Sequence, residues 1–117
     1  MTTNIEYTDE FGWWSNLSDS EQNDIVSVVT LLEKRGIKLG YLYSSKIKNS
    51  KHLQMCELGI QSKGKPIRVF YAFDTKRDAV LLIGGDKTGD KRFYIRMIPI
   101  ADSLYDTYLE EIKEGLI

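Results

Sequence analysis

Apolar residues recur along this chain in two rhythms, and the change of rhythm marks its elements. Between Ser18 and Gly36, Ile25, Val28, Val29 and Leu32 stand three and four apart, which is the spacing of one helix face. Ser18-Asp19-Ser20-Glu21 fits a capping box, in which Ser18 and Glu21 satisfy each other's exposed amides at a helix start. Gly36 supplies a C-terminal stop, so one helix of roughly four turns is predicted. After a Gly/Tyr/Ser/Lys stretch, Leu39 to Lys51, read as loop, the rhythm changes. Three strand-like runs follow, His52–Gln61, Pro66–Asp74 and Asp78–Gly85, joined by the short polar connections Ser62–Lys65 and Thr75–Arg77. That spacing predicts an antiparallel meander. Ile67–Phe73 is almost wholly apolar and Val80–Ile83 is so without a break, which predicts strands covered on both faces. From Lys91 the helical rhythm returns at Phe93, Met97, Ile100, Leu104, Tyr108 and Ile112, with Pro99 as a kink or a fresh first turn. Ile5–Tyr7 reads as a short first strand, and Phe11, Trp13 and Trp14 as rings packing the first helix onto the body. The fold class expected is α+β: an antiparallel meander sheet with a long N-terminal helix and a C-terminal helix.

At 117 residues the chain has the length of one domain, taken as 1–117, and its 42% hydrophobic content supports a folded core. No apolar run approaches the about 20 residues that a membrane crossing needs. The polar, acidic start is not a secretory signal, and one cysteine makes no internal disulfide, so the cytoplasm is expected. Charge is the more informative property. Residues 1–33 carry −7 with no Lys or Arg, residues 34–96 carry +10, and residues 97–117 carry −4. A basic middle predicts an anionic ligand there. The alternative is that the three blocks interleave in space as a mixed surface.

Strand register narrows the position. A symmetric turn at Ser62–Lys65 sets Gly59 opposite Arg68 and Ile60 opposite Ile67. A second hairpin centred on Lys76 sets Arg68 opposite Gly84. Arg68 then stands on a central strand between glycines, and glycine in a strand often marks close approach by a ligand or another backbone. Lys65, Lys87, Lys91, Arg92 and Tyr94 would join it at one end of the sheet as a phosphate cradle. The arginine fork suits two-point contact with phosphate oxygens. A structural ion pair with Glu57, one step along the neighbouring strand, is the competing reading of Arg68. Other chemistry is thin. His52 has no evident carboxylate partner, and Cys56 alternates with Leu58 and Ile60 as a core thiol of raised pKa. One His and one Cys make no zinc site. Gly84–Gly89 lacks the spacing of a nucleotide-binding phosphate loop. A cationic site short of a general base can still cleave RNA, whose 2′-hydroxyl is an internal nucleophile.

Glu57-Leu58-Gly59-Ile60-Gln61, Pro66 through Asp74, Leu81-Leu82-Ile83-Gly84-Gly85-Asp86-Lys87-Thr88-Gly89, Arg92-Phe93-Tyr94 and Met97 through Asp102 resemble the phage-derived, HigB-like branch of the RelE/ParE toxin superfamily. Phe11, Gly36–Gly40 and Ser50-Lys51-His52 fit it too. The resemblance implies the toxin of a type II toxin–antitoxin system, a ribosome-dependent mRNA endoribonuclease that needs no metal or other cofactor. Its implied partners are a cognate helix-turn-helix antitoxin, the ribosome and mRNA. In the implied site Arg68 holds the scissile phosphate, Lys87 is the basic residue after the last strand, and Tyr94 orients a base. Lys65, Lys91 and Arg92 would bind RNA backbone. The chain departs from the family twice. Leu42 stands where proline is favoured, a minor change. Gly59 stands where arginine usually follows Glu-Leu, which removes a cation beside Arg68. That second change leaves open a weakened nuclease, a ParE-like toxin acting on a protein target such as gyrase, and a degenerate toxin that only binds its antitoxin.

Overall fold

The computed structural model describes residues 2–40 and 42–116, without the side chains of Glu10 and Phe11. Strand β1 (Ile5–Tyr7) leads through a 3-10 segment (Asp9–Asn16) into helix α1 (Asp19–Arg35). The expected capping box is present: the Ser18 hydroxyl accepts from the Glu21 amide at 3.1 Å, and the Glu21 carboxylate accepts from the Ser18 amide at 3.0 Å. A short strand β2 (Ser44–Lys46) follows, then β3 (Cys56–Ser62), β4 (Lys65–Phe73), β5 (Ala79–Asp86) and helix α2 (Phe93–Lys113). They form one five-stranded sheet in the order β1-β5-β4-β3-β2. The meander β3-β4-β5 is antiparallel as expected, whereas β1 runs parallel to β5 at one edge. At the other edge β2 occupies part of the stretch read as loop. Three residues of Ser/Lys composition carry too little periodicity to announce a strand, and the ladder to β3 makes it one. Conversely β3 begins at Cys56, since His52–Gln54 is a turn.

The meander turns set the register. Lys63 (φ +51°) and Gly64 (φ +79°) form a two-residue turn whose paired positive φ values match strand twist. Gly59 therefore faces Arg68, and Ile60 faces Ile67, as expected. The second hairpin carries the Lys76-centred register through Phe73↔Ala79, Ala72↔Val80 and Tyr71↔Leu81, then shifts by one residue, so Phe70 pairs with Ile83. Leu82 is the extra residue of this bulge. Arg68 consequently faces Gly85 rather than Gly84, and Gly84 faces Val69.

The sheet is covered on both faces, as the apolar runs require. Ile25, Val28 and Leu32 of α1 pack with Leu58, Ile60, Ile67, Val69 and Leu81. Trp13 and Trp14 pack against this cluster as expected, while the expectation for the Phe11 side chain lies outside the described residues. On the opposite face Phe93, Met97, Ile98, Ala101 and Tyr105 of α2 meet Met55, Phe70, Ala72, Val80 and Leu82. The buried stripe of α2 thus runs beside the one read from periodicity, and Ile100 is exposed. Pro99 sits inside an unbroken helix, with no N–H for the carbonyl of Ile95. Among the described residues no helix is long and apolar enough to cross a membrane.

Candidate nucleic-acid interface

Arg68 lies on β4, with its side chain on the α2 face, because the strand alternation sends Ile67 and Val69 to the α1 core. Its Nε lies 3.2 Å from the Glu57 carboxylate in a salt bridge, and Nη1 donates to the Ile67 carbonyl at 3.0 Å. Glu57 comes from β3, on the same face. Both side chains are largely buried, at 12% exposure for Glu57 and 20% for Arg68. The same Glu57 oxygen accepts a 2.7 Å hydrogen bond from the Tyr94 hydroxyl at the start of α2. Burial, and then the Glu57 hydrogen bond and charge, push the Tyr94 phenol up to about 12, with Arg68 opposing. The Lys87 ammonium rests 5.4 Å from the Tyr94 ring centroid, a cation–π contact. The loop carrying Lys87 is pinned by its amide to the Pro66 carbonyl, and by Asp86, whose carboxylate accepts from the Thr88 amide and hydroxyl. Arg68, Tyr94 and Lys87 therefore meet through Glu57 and the Tyr94 ring.

The remaining expected residues divide. Lys65 turns to the α1 side and pairs with Glu21 at 3.5 Å, at the first turn of α1. Strand alternation excludes it from the face of Arg68. Lys91 and Arg92 are exposed just before α2, and the Arg92 amide donates to Asp90. Arg96, one turn further, pairs with the same Asp90 at 2.7 Å. Lys51 pairs with Asp106 from the acidic C-terminal block. The charge blocks of the sequence thus interleave in part: Glu21 and Asp106 from the flanks meet lysines of the middle.

Of the two glycines expected beside Arg68, Gly84 proves to be a packing device, and so does its neighbour Gly85. A Cβ on Gly84 would overlap the Trp13 ring and lie 2.8 Å from the Arg68 carbonyl oxygen. A Cβ on Gly85 would come within 3.1 Å of Phe93. Gly59 is different, because its Cβ would sit 3.5 Å from the nearest Arg68 guanidinium atom, an ordinary contact. An alanine-sized side chain would therefore fit beside the guanidinium.

Two residues change their reading. Glu57, known from the sequence only as the ion-pair alternative, is the hub that binds both Arg68 and Tyr94. Its same-face relation to Arg68 was the available signal, while its bond to Tyr94 spans 37 residues and left none. His52 does have a carboxylate partner: its Nε2 lies 2.7 Å from Asp106 of α2, 54 residues away. Its ring also meets the Tyr105 ring edge-on. Cys56 is buried as expected, and burial raises its thiol pKa.

A meander sheet with a helix on each face is an architecture that a solved toxin shares. An arginine-to-alanine double variant of the E. coli toxin RelE, solved in the free state, superposes with a TM-score of 0.56 over 80% of this chain and 92% of that one. At 8% identity that likeness is one of fold. Residues 12–106 match the family described as Phage derived protein Gp49-like (DUF891). The putative toxin HigB3 of Mycobacterium tuberculosis is 38% identical over 104 residues, which span 88% of this chain and 90% of that protein. The putative toxin HigB2 of the same organism is 30% identical over 118 residues, or 91% of this chain and 59% of HigB2. The chain belongs to the phage-derived Gp49-like family, with putative HigB toxins among its relatives, and shares its fold with RelE.

Proposed function

We propose that this chain is the toxin of a type II toxin–antitoxin system and cleaves mRNA on the ribosome, with a cognate helix-turn-helix antitoxin as its inhibitor. The observation that carries the reading is the anchored arginine. The salt bridge to Glu57 and the hydrogen bond to the Ile67 carbonyl anchor the Arg68 guanidinium, leaving other N–H donors to meet phosphate oxygens. In such a site the RNA 2′-oxygen attacks the adjacent phosphorus and the bond to the 5′-oxygen breaks. The 2′-proton leaves to an acceptor, and the departing 5′-oxygen takes up a proton. Glu57 supplies a carboxylate beside Arg68, and Lys87 supplies the ammonium. Arg68 stabilises the charge that develops on the phosphorane. Lys65, Lys91 and Arg92 would contact RNA backbone at the margins, Lys65 from the far side of the sheet edge.

A second reading has a specific observation in its favour. Glu57 offsets the charge of Arg68, and Gly59 adds none, so the cluster is less cationic than the basic middle of the sequence suggested. This suits a ParE-like toxin that binds a protein target, or a degenerate toxin that binds only its antitoxin. Induced expression of this chain beside Gly59→Arg, with translated mRNA mapped for new 5′ ends, decides among these. Cleavage by the wild-type chain that disappears in Arg68→Ala is the expected result. Cleavage by the arginine version alone identifies a disarmed nuclease, and cleavage by neither rejects the nuclease reading.

A further inference from the structure

The sheet is left open at β2, the strand at its edge. The Gly59 amide donates to the Tyr43 carbonyl and the Ile47 amide to the Met55 carbonyl, so Tyr43, Ser45 and Ile47 turn their backbone groups toward β3. Strand alternation then turns those of Ser44 and Lys46 outward. The Ser44 amide is satisfied by the Gly40 carbonyl. Among the described residues, no backbone group pairs with the Ser44 carbonyl or with the amide and carbonyl of Lys46. Two acceptors and one donor therefore stand along this edge at strand spacing. Beside them is a cavity of about 340 Å³, lined by Ile37, Leu39, Cys56, Tyr71 and Phe73, with Lys46 as its charged member. Ile37 is 84% exposed, an unusual exposure for a large aliphatic side chain. The surrounding chain is one-sided in charge. Residues 34–56 hold six cations, Lys34, Arg35, Lys38, Lys46, Lys48 and Lys51, and no Asp or Glu. Lys51 pairs with Asp106, and among the described residues the other five have no carboxylate partner.

We propose that β2 is a docking edge for an extended segment of a partner protein that alternates acidic and apolar residues. The added strand accepts from the Lys46 amide and donates to the Ser44 and Lys46 carbonyls, so the main chain supplies affinity. Its side chains alternate in direction. Every second one can enter the cavity against Leu39 and Phe73, and carboxylates on the segment answer the uncompensated cations. Charge decides the kind of occupant. A second copy of this chain would set the same cations against themselves. A nucleic acid would neutralise them but has no peptide amides and carbonyls with which to extend a strand ladder. A short edge strand that carries lysine also discourages neutral strands from pairing. That leaves an acidic one. The inference is independent of the endoribonuclease reading, because it uses neither Arg68 nor its neighbours.

The test titrates the full chain with a blocked octapeptide of alternating glutamate and valine, followed by NMR of the backbone amides. Binding should shift the Ser44 and Lys46 amides and leave those of Arg68 and Tyr94 in place. Two further peptides are methylated on alternate nitrogens, one at the valines and one at the glutamates, so that each blocks one edge of the strand. One of them should bind roughly thirtyfold more weakly, the scale of two net hydrogen bonds. Lys46→Gln should weaken binding about threefold at low salt. Lys46→Pro also removes the outward amide without breaking the ladder to β3, and should weaken it about fivefold more. If Lys46→Pro fails to fold, the methylated peptides make the same comparison on the wild-type chain. Equal affinity of all three peptides would mean charge attraction alone and overturns the proposal, as does the absence of binding or a shift confined to other amides. Oligoadenylate that moves the same amides and displaces the peptide assigns the edge to nucleic acid. Concentration-dependent shifts of the chain alone assign it to a second copy. Either result overturns the proposal.

Discussion

Glu57→Gln is the most informative single substitution, because one carboxylate oxygen of Glu57 accepts from Tyr94 and pairs with the charge of Arg68. The change preserves shape and removes charge. Hydrogen bonds to a charged group contribute about 1.5–3 kcal/mol and neutral ones about 0.5–1.5, so converting the Tyr94 bond loses about 1 kcal/mol, and losing the Arg68 ion pair costs about 1 more. Relief of desolvation at a side chain only 12% exposed returns part of this. The net expectation is about 1–2 kcal/mol of destabilisation. With an unfolding entropy of about 2.1 cal/mol/K per residue, that lowers the Tm of a 117-residue chain by about 4–8 °C. A second readout is independent of stability. The Tyr94 phenol, held at about 12 by burial and then by Glu57, should titrate lower in Glu57→Gln while staying above 10, because burial persists. Difference titration of phenolate absorbance against Tyr94→Phe isolates it among the seven tyrosines. The sign is set by linkage: a raised phenol pKa favours the folded state below pH 10, and that contribution is lost as pH rises to about 12. The variant should therefore lose less stability than the wild type across that interval. An unchanged Tm together with an unmoved Tyr94 titration would refute the role of Glu57 as the clamp of this cluster.

Gly84→Ala should be destabilising by about 1–3 kcal/mol or more, since the Arg68 carbonyl at 2.8 Å belongs to a central strand and cannot step aside; Gly85→Ala should cost less, and denaturant midpoints compare the two. Ser18→Ala removes the hydroxyl of the capping box and should lower stability by about 1 kcal/mol, read from chemical denaturation. Asp106 is held below the usual carboxylate range by its Lys51 hydrogen bond first and by His52 after it. Its contribution is present above the ordinary carboxylate pKa and is lost as pH falls through the lowered value, so Asp106→Asn should flatten the acid limb of a Tm-versus-pH curve.

Local periodicity and turn chemistry made much of this protein legible in its sequence. The capped helix α1, the three meander strands and the pairing of Gly59 with Arg68 each depend on residues close together in the chain. The resemblance of whole segments to HigB-like toxins announced the family before any contact was known. What tertiary structure alone decided was longer in range. The bulge at Leu82 moved Gly85, not Gly84, opposite Arg68, because one extra residue reverses which face a strand position occupies. The same alternation sent Lys65 to Glu21 on the α1 side, although its charge had placed it with the others. Glu57 joined Tyr94, and His52 joined Asp106, only once α2 had packed across the sheet. Sequence by itself therefore determined most of the elements, though not the edge strand β2, and the presence of a strand arginine among cations. The packing of two helices on opposite faces decided which of those cations share a surface with it, since side chains meet by strand face and helix crossing, neither of which is encoded by proximity along the chain.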